Sequence, residues 1–274
     1  MAEVETQKGL DFERKHEEDL RRIRDFRLMD DNFMSKVFED KPCAEFLLRI
    51  ILNRDDLKVK EVHGQHDLNN IQGRSVRLDI LAVDHENRAY NVEVQRSDSG
   101  AVAKSARYNS SLLDANLTRK CDAYDALNET YVIFITENDV LRGGLPIYHI
   151  NRIIEEMGKS FGDEAHIIYV NSQIKDDTAL GKLMHDFTCT NPDDMNYPVL
   201  AQRVRYFKED TKGVATMCRA FEEVREESAR EAKHEQAIES AKTMLADGLP
   251  YETIARYAKL PIEEVKALDT KKPA

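Results

Sequence analysis

Tryptophan is absent, aromatic residues make up only 7% of the chain, and no apolar run approaches the roughly 20 residues that span a bilayer. Without tryptophan the chain lacks the stacking subsites that a carboxylate-pair glycosidase usually offers a sugar. The four cysteines, Cys43, Cys121, Cys189 and Cys218, are scattered with no C-x-x-C pair. They read as reduced thiols, neither a zinc site nor a disulfide frame. G-x-S-x-G, the P-loop, G-x-G-x-x-G and H-E-x-x-H are all missing, which removes hydrolase-elbow, NTPase, dinucleotide and zincin readings. The first 20 residues carry no apolar stretch of a signal peptide, so the expected location is cytoplasmic, with no membrane partner.

What is present is a chain of 274 residues, 41% hydrophobic and 33% charged, with a formal net charge of −11. Leu, Ile, Val and Phe come in dense blocks able to bury a core, and the length allows one generous domain plus an appendage. At first sight the acidic balance argues against a nucleic-acid partner.

Residues 1–25 form a polar arm or solvated helix, with seven acidic and six basic side chains in the first 24. Phe33, Val37 and Phe38, then Phe46, Leu47, Ile50 and Ile51, recur at helical spacing, and Pro42 suits the start of a second helix. Val59–Leu68 reads as a strand of uncertain face. Ser75–Asp84 and Arg88–Gln95 form a hairpin about a polar turn at His85, Glu86 and Asn87. A helix over Gly100–Leu117 follows, then buried strands at Thr130–Glu137 and His166–Asn171, with a helix near Asn151–Met157 between them. From Thr178 the pattern is helical, closing on two short segments that begin near Pro250 and Pro261. The expected fold is α/β, a mixed sheet flanked by helices with a C-terminal helical extension. A core spans residues 26–210, and a tail with a helix-turn-helix-like end spans 211–274.

Alternation along the hairpin puts Leu78, Ile80 and Ala82 on one face and Arg77, Asp79 and Leu81 on the other. Tyr90, Val92 and Val94 oppose Asn91, Glu93 and Gln95 in the same way. If cross-strand partners sum to 172, the apolar sets coincide and Asp79 faces Glu93, with Cβ atoms roughly 4.5–5.5 Å apart. Two carboxylates so placed repel unless a cation lies between them, and an oxygen ligand set suits Mg²⁺ or Mn²⁺. An exposed acidic face paired with Arg77 or Arg88 is the competing reading.

The stretch GRSVRLDILAVDHENRAYNVEVQRSD (Gly73–Asp98) resembles the core of the PD-(D/E)XK nuclease superfamily, in its transposase-like, recombination-promoting nuclease branch. The resemblance continues through KSARYNSSLLDANL, YVIFITENDVLRGGLPIYHINRIIEE, HIIYVN and GKLMHDF, covering roughly Asp30 to Lys208. It implies an αβββαβ core (the restriction-endonuclease-like fold) and metal-dependent hydrolysis of DNA phosphodiesters, in a mobile-element, recombination or defence role. A catalytically weak or inactive relative, binding DNA or protein, is the alternative. Mg²⁺ (or Mn²⁺) would be held by Asp79, Glu93 and the backbone carbonyl of Val94.

Gln95 stands where the superfamily pattern has lysine; it can orient a water but carries no charge, and the branch often has glutamine here. Lys104 on the following helix is either a substitute ammonium or a phosphate contact. Asp30, favoured over Asp31 by an Asp–x–x–Phe pattern, is either a first-helix catalytic acid or a helix cap. Arg107 and Tyr108 match a recurring Arg-Tyr of the branch and either contact DNA or pack and pair with the hairpin carboxylates; Arg77, Arg96, Lys104, Arg107 and Tyr108 are the expected DNA contacts. His63 and His66 read as surface residues, and His185-Asp186 as a structural hydrogen bond. The tail, with IEEVKAL as its last helix, favours packing or homo-oligomer formation over groove binding. Between Gly73 and Lys120 there are eight basic against six acidic residues, so the net −11 does not describe the expected active face.

Overall fold

The hydrophobic blocks fold into a six-stranded mixed sheet flanked by helices, in a computed structural model that describes residues 17–68, 75–119, 121 and 123–269. A helix at residues 17–25 (α1) leads to α2 (Asp31–Phe38) and α3 (Lys41–Leu52), then to the strands β1 (Val59–Leu68), β2 (Val76–Asp84) and β3 (Ala89–Gln95). Next come α4 (Ala103–Leu117), β4 (Thr130–Thr136), β5 (Ile147–Ile150), the short pair β6 (Ile153–Ile154) and β7 (Lys159–Ser160), and β8 (Ala165–Asn171). The chain ends in α5 (Ala179–Thr188), α6 (Pro198–Glu209), α7 (Thr211–Ala246), α8 (Tyr251–Ala258) and α9 (Ile262–Leu268). Strand order is β1-β2-β3-β4-β8-β5. The first three strands form an antiparallel meander, β3, β4 and β8 run parallel, and β5 closes the edge antiparallel to β8. No helix among the described residues is long and apolar enough to cross a membrane.

Parallel strands need cover on both faces, and β3 and β4 have it, with almost every residue buried. Helix α4 lies on one face. Its Ala106 packs with Val132, Phe134 and Tyr169, and its Leu112 and Leu113 with Leu81 and Ala89. The alternate set, including Ile80, Val92, Ile133 and Ile135, is equally buried. Helices α2 and α3 pack against β1 and β2, with α5 and α6 against α3. Pro42 sits in the first turn of α3, where its missing N–H costs nothing, and Asn53 ends that helix with φ 51°.

Three expectations are corrected. No helix forms over Asn151–Met157: the β-branched Ile153 and Ile154 pair with Lys159 and Ser160, across a turn containing Gly158 at φ 61°. The arm is not wholly solvated: Asp19 and Ile23 of α1 are buried, residues 1–16 lying outside the described residues. Helix α4 begins at Ala103, since residues 97–101 are spent on turns.

Contacts divide the chain into two units, Met1–Val214 and Ala215–Ala274, with the boundary inside α7. In the second unit Ala241, Ile254, Ala258, Leu260 and Val265 make a core from the end of α7, α8 and α9. Lys259 at φ 57° turns the chain between the last two helices, and His234 and Glu264 pair at 2.8 Å.

The β2–β3 turn is held by Asp84, 1% exposed. Its carboxylate accepts from Arg88 Nε at 2.7 Å, the Tyr90 hydroxyl at 2.8 Å, and the N–H groups of Glu86 and Arg88 at 2.9 Å. Those bonds outweigh burial and hold its pKa below the ordinary carboxylate value. Asp84→Ala leaves the buried Tyr90 hydroxyl and the turn N–H groups without their acceptor and Arg88 with only Glu86, so urea unfolding should show a loss of about 2–3 kcal/mol. A change within experimental error would remove the network from the account of the hairpin.

Candidate active site at the opened β2–β3 ladder

The β2–β3 ladder runs from Val83↔Ala89 to Ile80↔Val92, in the register whose partners sum to 172, and stops there. Both strands continue: Val76, Arg77 and Leu78 pair with β1, while Glu93, Val94 and Gln95 pair with β4. A gap opens between them, and Asp79 sits at its apex. Asp79 Oδ2 accepts the Val94 N–H at 2.9 Å, a donor that in a continuing ladder would go to the β2 backbone. Since N–H and C=O of one strand residue leave on the same side, the Val94 carbonyl also faces the gap.

Asp79 and Glu93 therefore meet otherwise than as a simple cross-strand pair. Strict alternation would put Leu78 and Leu81 on opposite faces, yet both join the cluster against Leu112 and Leu113. The alternation breaks between them, at Asp79, and the residue across from it on β1, Gln65, has φ 47°. Asp79 thereby reaches across toward β3.

Glu93 is 5% exposed, and its Oε1 has no hydrogen-bond partner among the described residues. Burial, reinforced by the Asp79 charge, pushes its pKa well above the usual carboxylate value. Burial likewise raises Asp79 to about 7; the Val94 N–H opposes the rise and the Asp31 charge adds to it. Asn91, two residues before Glu93 on the same face, is fully buried; its amide meets no hydrogen-bond geometry among the described residues, though it lies close enough to Glu93 to oppose the rise in that residue's pKa. Three polar side chains thus converge with donor and acceptor capacity unused, which is where a cation or ordered water belongs.

A cleft of about 740 Å³ opens beside Glu93 toward α4. Gln95, Arg77, Lys104, Arg107 and Tyr108 line it, so the fold brings these five together with Glu93. Gln95 packs its carboxamide against Gly100, where a Cβ would fall 1.8 Å from the Gln95 Oε1. Arg77 is tied to Asp67 at 2.9 Å. Lys104 and Arg107 are exposed and make no side-chain hydrogen bond or ion pair among the described residues. Helix α4 starts at the cleft with no side-chain cap on its N-terminus, leaving N–H groups directed at a potential anion.

Asp30 and Arg96 are placed differently. Asp30 accepts from the Arg27 N–H and from Arg96 Nη1, both at 2.8 Å, and Arg96 also pairs with Glu137 at 3.5 Å. Neither lines the cleft, and of the carboxylates at the gap only Glu93 does, Asp79 and Asp31 lying outside its lining. Asp31, the neighbour passed over in the sequence, is the α2 acid whose charge raises both Asp79 and Glu93. An Asp–Asp pair at a helix start gives no sequence signal for which carboxylate turns inward. Asn91 was legible as a residue on the Glu93 face, but not as an unsatisfied one.

These shifts have a direction in pH. A carboxyl whose folded pKa lies above its unfolded value stabilises the fold below the unfolded value, and that stability is lost as pH rises through the folded pKa. For Asp79 the window runs from 3.8 to about 7. In EDTA the parent protein should lose stability across it, and Asp79→Asn should exceed the parent by roughly 2–4 kcal/mol at pH 8. Parallel pH–stability curves for the two proteins would contradict these placements.

No curated protein and no solved structure gives a significant match to the chain. A family model does: that of the PD-(D/E)XK nuclease family transposases, over residues 38–179. That span holds Asp79, Glu93, Gln95, Lys104, Arg107 and Tyr108, and leaves out Asp30 and Asp31. It covers more than half of the sequence and contains the whole six-stranded sheet, and on this evidence the chain belongs to the PD-(D/E)XK nuclease family transposases.

Proposed function

We propose that the protein is a metal-dependent endonuclease that hydrolyses DNA phosphodiester bonds, with Asp79, Glu93 and the Val94 carbonyl as ligands for Mg²⁺ or Mn²⁺. The observation that carries this reading is the buried Glu93 Oε1 without a hydrogen-bond partner, beside a second carboxylate whose proton affinity burial has raised. An unpaired carboxylate in such a place is costly, and a hard divalent cation removes the cost. When bound, the ion supplies Lewis-acid chemistry, activating water and neutralising charge on a phosphate oxygen.

The remaining roles belong to the chain. The Val94 N–H fixes one oxygen of the Asp79 carboxylate, and the other is the one offered to an ion. Asp31 adds a third negative charge on the α2 side, a role the structure supports for it better than for Asp30. Gln95 orients a water by hydrogen bonding without contributing charge. Lys104, Arg107 and the uncapped start of α4 meet the phosphates of a strand laid along the cleft, where the local surface is cationic although the whole chain is acidic. Tyr108 and Arg77 flank that path, whereas Arg96, held by Asp30, lies outside the cleft lining. In the tail, α9 presents Glu263 and Glu264 where a groove-reading helix would need donors, which favours packing or self-association there.

Purified full-length protein should nick supercoiled plasmid with Mg²⁺ or Mn²⁺, and EDTA or Asp79→Ala should abolish nicking. Equal activity of Asp79→Ala and parent would overturn the site. Lys104→Ala with Arg107→Ala should weaken DNA binding and reduce the dependence of log K on log salt by about 1–2, leaving Mn²⁺ affinity unchanged. DNA binding that is indifferent to metal, with no cleavage by a folded preparation, would favour a non-catalytic module.

A further inference from the structure

The end of α5 gathers a second set of metal-ligating atoms that shares no residue with the cleft. His185 lies in the last turn of α5 and Cys189 four residues on, at its C-cap, so one helical repeat brings imidazole and thiol together. His185 Nδ1 stands 3.5 Å from Cys189 Sγ and 3.5 Å from Asp186 Oδ1, and all three ligand atoms lie within 4.8 Å of one another. Ligand atoms of a tetrahedral zinc ion, at bond lengths of about 2.0–2.3 Å, are roughly 3.3–3.7 Å apart. The two distances from Nδ1 match the edges of such a site.

Asp186 is wholly buried and its carboxylate is already aimed. Oδ2 accepts the Tyr197 N–H at 2.9 Å and Oδ1 the Asn196 N–H at 2.7 Å. Bonds of this kind orient a ligating carboxylate in metal sites. The Asn196 carboxamide is the polar group next to these atoms, its Nδ2 hydrogen-bonding at 3.1 Å to His185 Nδ1 and 2.9 Å to Asp186 Oδ1, a little closer than the edges of such a site. A half-turn of the carboxamide places its oxygen there as a ligand. His185 is 45% exposed on its side chain, so an ion has a path inward.

We propose that His185, Asp186 and Cys189, with Asn196 completing the shell, form a structural site for a borderline-soft divalent cation of the Zn²⁺ class. Thiolate and imidazole discriminate against Mg²⁺, so this site and the carboxylate site take different metals. The ion would pin the end of α5 to the 189–197 segment that leads into α6. The cysteine-spacing rule missed it because the ligands come from a helical i, i+4 pair, the residue between them and a loop amide. No C-x-x-C is involved.

The test uses Co²⁺ and Zn²⁺ on the full chain. One equivalent of Co²⁺ should give tetrahedral d–d absorption with a thiolate-to-metal charge-transfer band, retained in Asp79→Ala. Cys189→Ala should lose the band, and His185→Gln should weaken Zn²⁺ binding by at least about 100-fold. In the unaltered chain, where no substitution can unfold the site, Zn²⁺ should slow alkylation of Cys189 but not of the exposed Cys121, read by mass spectrometry. Absence of the band, its survival in folded Cys189→Ala, or equal alkylation of Cys189 with and without Zn²⁺ would leave a hydrogen-bond cluster only and overturn the proposal.

Discussion

The hydrogen bond from Val94 to Asp79 takes the place of a sheet rung, and the site depends on that exchange. Had the ladder continued, Val94 would have given its N–H to the β2 backbone and Asp79 would have stood on a sheet face. Instead the two strands part after Ile80↔Val92, each held by its outer neighbour, β1 or β4. The opening lets a carboxylate enter between the strands and turns the Val94 carbonyl toward the same space. Asp84, at the other end of the hairpin, fixes the register from which this geometry follows.

Two carboxylates in a buried site carry a cost that the rest of the fold must offset. Burial raises the proton affinity of both, and each added negative charge, Asp31 included, raises it further. No lysine or arginine of the described residues is paired with either: Arg77 goes to Asp67, Arg88 to Asp84 and Arg96 to Asp30. Neutralisation is left to protons or to a cation from solution. The exposed amines and guanidiniums of the cleft, Lys104 and Arg107, stand beyond this acidic centre, where a phosphate strand would run. An acidic centre beside cationic walls suits a substrate that is itself an anion and a reaction that needs a metal.

Much of this architecture was legible from sequence because it rests on periodicity. The alternation in Leu78–Val94 pointed to the hairpin register, and the apolar runs at Thr130–Glu137 and His166–Asn171 marked the strands that form as Thr130–Thr136 and Ala165–Asn171. Asp79 and Glu93 could be placed in one neighbourhood by the same rule, but the opened ladder could not be read. It depends on a local break at Asp79 and Gln65 that no residue pattern announces. Asp30 is held by Arg96, a partner 66 residues away that no local pattern announces. Asn151–Met157 looked helical because its apolar spacing is ambiguous over so short a span, and tertiary pairing of Ile153 and Ile154 decided otherwise.

In the proposed site Asp79 and Glu93 together hold a divalent cation in exchange for protons. Titration calorimetry of Mn²⁺ into the metal-free full-length protein at pH 7, in two buffers of different ionisation enthalpy, measures both binding and proton release. Saturable binding with net proton release is expected, since burial raises the proton affinity of both carboxyls and holds Asp79 at about 7, with loss of both in Glu93→Gln. Mn²⁺ binding without proton release, unchanged in Glu93→Gln, would contradict it.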